Sequence, residues 1–469
     1  MPSAMNGGAG SQTTGRYIVL FREDVGKDAR AELDRRAGVK ALGVNEYQAA
    51  AAAEPDEFGD ASVYLDDLAV AVVNVPPDRR ESMIAAVTDS SSPIQAIEPE
   101  RIVYALADPQ ALELPANGTA MPGFGVPTDV PSTVGETPPQ AAPVSERGSD
   151  AFHLGYRAAY LDLVTQLLEQ RPHASNSSAM VKDVELQEGE ATWGLQATRA
   201  AASRFLGRSQ RIAVLDTGLD MRHPDLQNRE IVARSFVQNE SVQDAHGHGT
   251  HCAGTACGLL RPASGERRYG VASEALLFVG KVLNNAGRGG DAGILAAIAW
   301  AVANRCAVIS MSLGSPVELG ESYSQVYEAV ARRAAARGTI IVAAAGNDSR
   351  RPGLVKPVGH PANAPSILGV GALDRSLRVG WFSNGGLNPS GGEVNVAAPG
   401  VDVFSAWTMP QRYNTIDGTS MACPHVAGIL AQYAEATQLH GFALANHMLR
   451  QARRLAPVRD FGWGLVQAP

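Results

Sequence analysis

Apolar and polar positions follow two rhythms along this chain, separated by a stretch that follows neither. From Arg16 to about Leu106, short apolar runs alternate with charged segments. Tyr17-Ile18-Val19-Leu20-Phe21 and Leu68–Val75 read as strands, and Ile94–Tyr104 as a final extended piece. Asp24–Arg36 reads as a charged helix with Ala29 and Leu33 on one face, and Pro76–Val87 as a second helix with proline near its start. With one more strand near Ala41–Ala50, the order predicts a β-α-β-β-α-β, ferredoxin-like domain over 16–106. That fold serves many functions and names none.

Residues 107–190 lose the rhythm. Pro109, Pro115, Pro122, Pro127, Pro131, Pro138, Pro139 and Pro143 recur among Gly, Ala, Ser and Thr, as in an extended linker. Within it, Tyr160, Leu163, Val164, Leu167 and Leu168 have helical spacing, which predicts one amphipathic helix at 151–171, stopped by Pro172. Residues 1–15 are Gly/Ser/Thr-rich and read as disordered.

From 191 to 469 continuous apolar strands alternate with helices. Strands are predicted at Arg211–Leu215, within Val271–Val282, at Ala307–Met311 and at Thr339–Ala343, with helices at Ile294–Asn304, Tyr323–Arg337 and Met421–Ala436. Strands that are apolar throughout belong to a parallel sheet covered on both faces, an α/β architecture. Sites in such sheets lie at the carboxyl ends of the strands.

Three strand or helix ends carry reactive groups. Asp216-Thr217-Gly218 follows the first strand, and an Asp there can simply cap a turn. His246-Gly247-His248-Gly249-Thr250-His251 opens a glycine-rich helix; metal binding is the lesser reading, because no carboxylate sits at an HExxH position. Ser420, in Gly418-Thr419-Ser420-Met421, stands at a predicted helix N-terminus, where free N–H groups favour developing negative charge. Pro424 is expected in that helix's first turn. A serine needs an imidazole to take its proton, and the imidazole needs a carboxylate to orient it. The chain order Asp, His, Ser is the one found in subtilisin. Asn347, after the Thr339–Ala343 strand, can donate to an oxyanion.

These segments resemble the subtilisin-like serine peptidases. The similarity rests on Val214–Gly218, His248–Gly254, Ser310–Gly314, Ala345–Asn347 and Gly418–His425, and extends from about Trp193 to Ala468. Cys252, after His248-Gly249-Thr250-His251, is similar to the proteinase K branch. The resemblance implies a serine endopeptidase with Asp216, His248 and Ser420 as catalytic residues and Asn347 in the oxyanion hole, while His246 and His251 are structural. It implies that an extended peptide lies between Gly287-Arg288-Gly289 and Ser312-Leu313-Gly314, where the glycines allow close backbone approach. His360-Pro361 is similar to the family's proline turn near the primary pocket; Asp348 and Asp291 could favour basic side chains there, with Lys356 offsetting one of them. The 16–106 unit resembles the family's inhibitory propeptide, which implies a zymogen inhibited by its own N-terminal domain, with maturation somewhere between 104 and 193. A catalytically quiet binding protein with that domain permanently docked is the second reading.

Composition narrows the partners. The 469 residues carry a net charge of −8 with pI near 5.7, which argues against nucleic acid. No window approaches the roughly 20 apolar residues of a membrane span. Residues 1–16 lack a signal peptide's apolar core, so the expectation is a cytoplasmic protein or export by another route. The four cysteines, Cys252, Cys257, Cys306 and Cys423, are expected to be free and buried. No cofactor is expected, with calcium left open at an unidentified site. Asp225 fits a calcium-ligand position of the family, but Leu260–Tyr269 offers one carboxylate beside two arginines, so no calcium is expected at that site.

Overall fold

A computed structural model describes residues 12–23, 25, 28–43, 61–106, 189–227 and 229–469. The expected 107–190 linker and its 151–171 helix lie outside them, apart from 189 and 190. Among the described residues, no helix is long and apolar enough to cross a membrane.

The N-terminal part contains β1 (Thr13–Phe21), α1 (Asp28–Ala37), β2 (Leu42–Gly43), β3 (Val63–Leu65), β4 (Val70–Val73), α2 (Arg80–Thr88) and β5 (Ile94–Ala105). Its strands run in the order β5-β1-β4-β3-β2. The pairs β5–β1, β1–β4 and β4–β3 are antiparallel. One face packs on α1 and α2 through Val19, Phe21, Ala29, Leu33, Val73 and Met83. The opposite face, Ile18, Leu20, Val70 and Val72, joins a core shared with the second part of the chain. Alternation of side chains along β1 and β4 sends successive residues to these two cores. Strand β1 starts at Thr13, so residues 13–15 are not the disordered segment expected from composition. Thr13 pairs with Arg101, and the Thr14 hydroxyl bonds Glu100; these are long-range partners that local composition does not report.

The second part is built on seven strands: β6 (Arg211–Asp216), β7 (Ile231–Ser235), β8 (Leu276–Lys281), β10 (Val308–Met311), β12 (Ile340–Ala344), β13 (Leu368–Leu373) and β14 (Val396–Pro399). Their order is β14-β13-β12-β10-β6-β8-β7, with every neighbouring pair parallel. Helices flank it: α3 (Trp193–Ala197), α4 (His248–Cys257), α5 (Asp291–Ala303), α6 (Gln325–Ala336), α7 (Thr419–Thr437), α8 (Gly441–Arg450) and α9 (Val458–Phe461). Ile212, Val214, Ile340 and Val342 face a core with α4, α7 and α8. Ala213, Leu215, Ile341 and Ala343 face the other, with α5 and α6. Both faces are apolar, which explains why these strands show no alternation in sequence. Short strands β9 (Arg288–Gly290) and β11 (Leu313–Gly314) lie apart from this sheet and pair with β5. A hairpin, β15 (Val403–Ala406) and β16 (Tyr413–Ile416), completes the fold.

Candidate active site

Strand β6 ends at Asp216, and α4 begins at His248. His248 Nδ1 lies 2.7 Å from Asp216 Oδ1, with both side chains buried. Burial pushes the imidazole pKa down, but the charge and hydrogen bond of Asp216 more than offset it, leaving it above the ordinary value. What aims the helix is Asp244, a residue that sequence reasoning missed. Its Oδ1 accepts from His246 N and Gly247 N, each at 2.9 Å, and its Oδ2 from Thr250 N at 2.9 Å. It also takes a hydrogen bond from Thr217 Oγ1 at 3.0 Å, and that hydroxyl accepts Gly249 N at 2.8 Å. One buried carboxylate thus satisfies several N–H groups of the α4 terminus and ties it to the end of β6. An Asp just before a glycine-rich helix start was the available signal. Gly247 has φ 103°, and a Cβ there would come within 2.4 Å of Trp407. The other histidines diverge. His251 Nε2 bonds Val403 O at 3.0 Å, and burial drives its pKa down to about 3. His246 is half-buried, its ring edge-on to His248 at 6.1 Å.

Ser420 is the second residue of α7, behind Gly418, whose φ of 150° favours glycine. Pro424 is not in the first turn as expected. The helix begins at Thr419, so Pro424 is its sixth residue and leaves Ser420 O without its N–H partner. The hydroxyl of Ser312 donates to that oxygen at 2.8 Å, and the Cys252 thiol approaches it at 3.6 Å. Two side chains outside the helix therefore replace the missing bond at the candidate nucleophile. Ser420 Oγ itself donates to Ser312 O at 3.2 Å and to Leu106 O at 3.3 Å. Asn347 Nδ2 reaches the same Leu106 oxygen at 3.4 Å. The amide is turned that way because its Oδ1 accepts from Thr419 N and Oγ1, at 3.0 and 2.8 Å. His248 Nε2 is buried and makes no hydrogen bond to Ser420 Oγ, while the Leu106 carbonyl beside it helps raise the imidazole pKa.

The end of β5 fills the groove leading to Ser420. Ile102, Val103 and Tyr104 pair with Gly290, Gly289 and Arg288, and Tyr104 and Ala105 with Gly314 and Leu313. Ala105 N donates to Gly287 O at 2.8 Å. The two expected groove walls thus hold an extended chain, and it is the protein's own. Gly289 and Gly314 are constrained from behind. A Cβ at Gly289 would meet Val282 O at 2.3 Å, and one at Gly314 would meet His360 O at 2.6 Å, so the walls are small because of what lies behind them. A Cβ would face the docked strand at Gly287, 3.5 Å from Ala105 Cβ, and at Gly290, 2.8 Å from Glu100 Oε1. His360–Pro361 is cis. Asp348 accepts from Asn384 Nδ2 at 2.9 Å, while Lys356 lies 3.4 Å from Glu318 rather than offsetting either aspartate.

Farther back, β5 carries acids onto two helix starts. Glu98 accepts from Gln325 N at 2.7 Å and Ser324 Oγ at 2.6 Å at the head of α6. Glu100, fully buried, accepts from Ala292 N at 2.9 Å at the head of α5 and pairs with Arg16 at 2.7 Å. Anions at helix N-termini are favourable. Arg333 of α6 reaches back to Phe21 O at 2.7 Å and to Leu68 O.

Metal ions fit poorly. Asp225 Oδ2 accepts the hydroxyls of Tyr269 and Tyr413 at 2.7 and 2.8 Å, and Oδ1 accepts Ser264 N at 3.3 Å. Calcium needs six to eight oxygen ligands, whereas here O–H and N–H donors already engage this carboxylate. Asp216, His248 and Cys252 also converge within 4.8 Å. Burial holds the Cys252 thiol well above its ordinary pKa, so it is not the thiolate a metal requires. All four cysteines are free and buried, as the sequence led us to expect.

Comparison with known proteins agrees with this geometry. The model of the Subtilase family matches residues 207–464. Subtilisin DY of Bacillus licheniformis is 36% identical over 277 residues, covering 58% of this chain and 94% of that protein. An intracellular serine protease of Paenibacillus polymyxa is 38% identical over 255 residues, covering 53% and 74%. Subtilisin E of Bacillus subtilis is 40% identical over 230 residues, covering 48% and 56%. The chain belongs to the subtilase family and is a serine endopeptidase.

Proposed function

We propose that the protein is made as a zymogen, in which residues 12–106 inhibit a peptidase whose catalytic groups are Asp216, His248 and Ser420. Ser420 Oγ attacks the scissile carbonyl while His248 Nε2 takes its proton. Asp216 Oδ1 holds Nδ1–H and stabilises the imidazolium. The carbonyl oxygen becomes an oxyanion, bound by Asn347 Nδ2 and the Ser420 backbone N–H at the α7 terminus. His248 then protonates the leaving amine, and water removes the acyl group by the reverse relay. Substrates are extended polypeptides, bound by main-chain pairing with β9 and β11 as β5 is. No cofactor takes part.

The observation that carries this reading is the carbonyl of Leu106, with its oxygen 3.3 Å from Ser420 Oγ and 3.4 Å from Asn347 Nδ2. A main chain so placed both blocks the site and presents a bond to it. Maturation is therefore assigned to the Leu106–Ala107 bond, inside the interval expected from sequence. Glu98, Glu100 and the Arg333 contacts would keep the severed domain docked as an inhibitor. Mass spectrometry of the purified protein after incubation tests this. We expect a fragment ending at Leu106 in the wild type and an intact chain in Ser420→Ala. An intact wild type, or the same cut in Ser420→Ala, overturns it.

A further inference from the structure

The groove holds a second buried carboxylate, far from the chemistry. Counting back from the Leu106 carbonyl at Ser420, Arg101 is the sixth residue of the docked strand. Beneath it lies Asp291, the first residue of α5, with no exposed surface. Its Oδ1 accepts from Tyr327 Oη at 2.8 Å and faces His360 Nε2 at 3.4 Å. The Tyr327 and His360 rings pack edge to face at 4.6 Å, which fixes both partners. Oδ2 points the other way and accepts the main-chain N–H of Arg101 at 2.8 Å. The guanidinium of Arg101 turns to Glu98 instead, at 3.1 Å. Asp291 is not simply capping its own helix, because the next amide, Ala292 N, goes to Glu100. Burial pushes the Asp291 carboxyl up, yet His360 and the Arg101 amide hold it below the ordinary range, so it is charged.

We propose that Asp291 is a specificity-determining residue for substrates: a preoriented, charged acceptor for the main-chain N–H six residues before the cleaved bond. The ligand is an extended polypeptide reaching at least that far, with any residue except proline at that place. The contact reads chain length and a free N–H but no side chain. It rests on the peptidase reading above.

N-methylation of substrate peptides tests it without altering the protein. Three quenched fluorescent peptides span Pro99 to Pro109 of the sequence: unmodified, N-methylated at the Arg101 place, and N-methylated at the Ile102 place. In the structure the Ile102 N–H goes to Gln12 O, at 2.8 Å, outside the groove walls. Methylation at the Arg101 place should lower kcat/KM about tenfold, mainly through KM, the scale of one charge-assisted hydrogen bond. Methylation at the Ile102 place should leave it within about twofold. In Asp291→Ala the discrimination at the Arg101 place should vanish. Equal cleavage of all three peptides by the wild type, or discrimination that survives Asp291→Ala, overturns the proposal. Cleavage of none of them overturns the peptidase reading itself, and this one with it.

Discussion

The groove contains two buried aspartate–histidine pairs, and they are put to different uses. Asp216 and His248 are 2.7 Å apart; Asp291 and His360 are 3.4 Å apart. Both carboxylates are fully buried. In the first pair the carboxylate holds Nδ1, and Nε2 is left buried beside the Leu106 carbonyl. In the second, Oδ1 is shared between an imidazole and a phenol, and Oδ2 meets a main-chain amide. The third group decides the outcome. A hydroxyl at a helix N-terminus makes the pair a proton relay in our reading, and an amide makes it an anchor.

Breaking the first pair should cost most. Asp216→Asn leaves the shape but favours the wrong imidazole tautomer, and kcat should fall by about 10⁴, the scale known for such triads. Steady-state kinetics checks it; a loss below about tenfold would make the carboxylate dispensable. Asn347→Ala should lower kcat about 10²–10³-fold, a magnitude carried over from a subtilisin. An unchanged rate removes Asn347 from the oxyanion hole. Asp291→Ala stands at the small end, moving KM for long peptides.

The pH dependence sharpens the contrast further. Neutral His248 is the active base, so kcat/KM should fall with acid through a value above 6.5, and Asp216→Asn should move that limb below 6.5. Stability should also fall in acid, through two other histidines. His251 and His425 are buried neutral, with values driven down to about 3 and about 4. Their folded values lie below the unfolded one, so their contribution is complete above pH 6.5. It is lost as pH falls towards 4, by about 1.4 kcal/mol per pH unit for each. Urea melts between pH 7 and 4 measure this, and a flat midpoint would contradict it.

What was legible in the sequence follows the same division. Apolar runs such as Ile212–Leu215 and Ile340–Ala343 disclosed a doubly covered sheet, because burial on both faces leaves its mark on every residue. Asp216 and Asn347 stood out because each follows such a run, His248 and Ser420 because each stands at the start of a helix. Asp244 did not, although it stands just before a glycine-rich helix start and bonds His246, Gly247 and Thr250; the Ser312 bond to the Ser420 carbonyl did not, since its partner is far away in sequence. Thr13 and Thr14 looked like flexible tail for the same reason. Asp225 fitted a calcium-ligand position of the family but was not expected to hold the ion, and the partners that engage it, Tyr269 and Tyr413, are distant in sequence.

The most direct test of the central claim is labelling by a fluorophosphonate, which reacts only with an activated serine. The account predicts that matured protein is labelled at Ser420, and that Ser420→Ala abolishes the label. Labelling that persists in Ser420→Ala would contradict it.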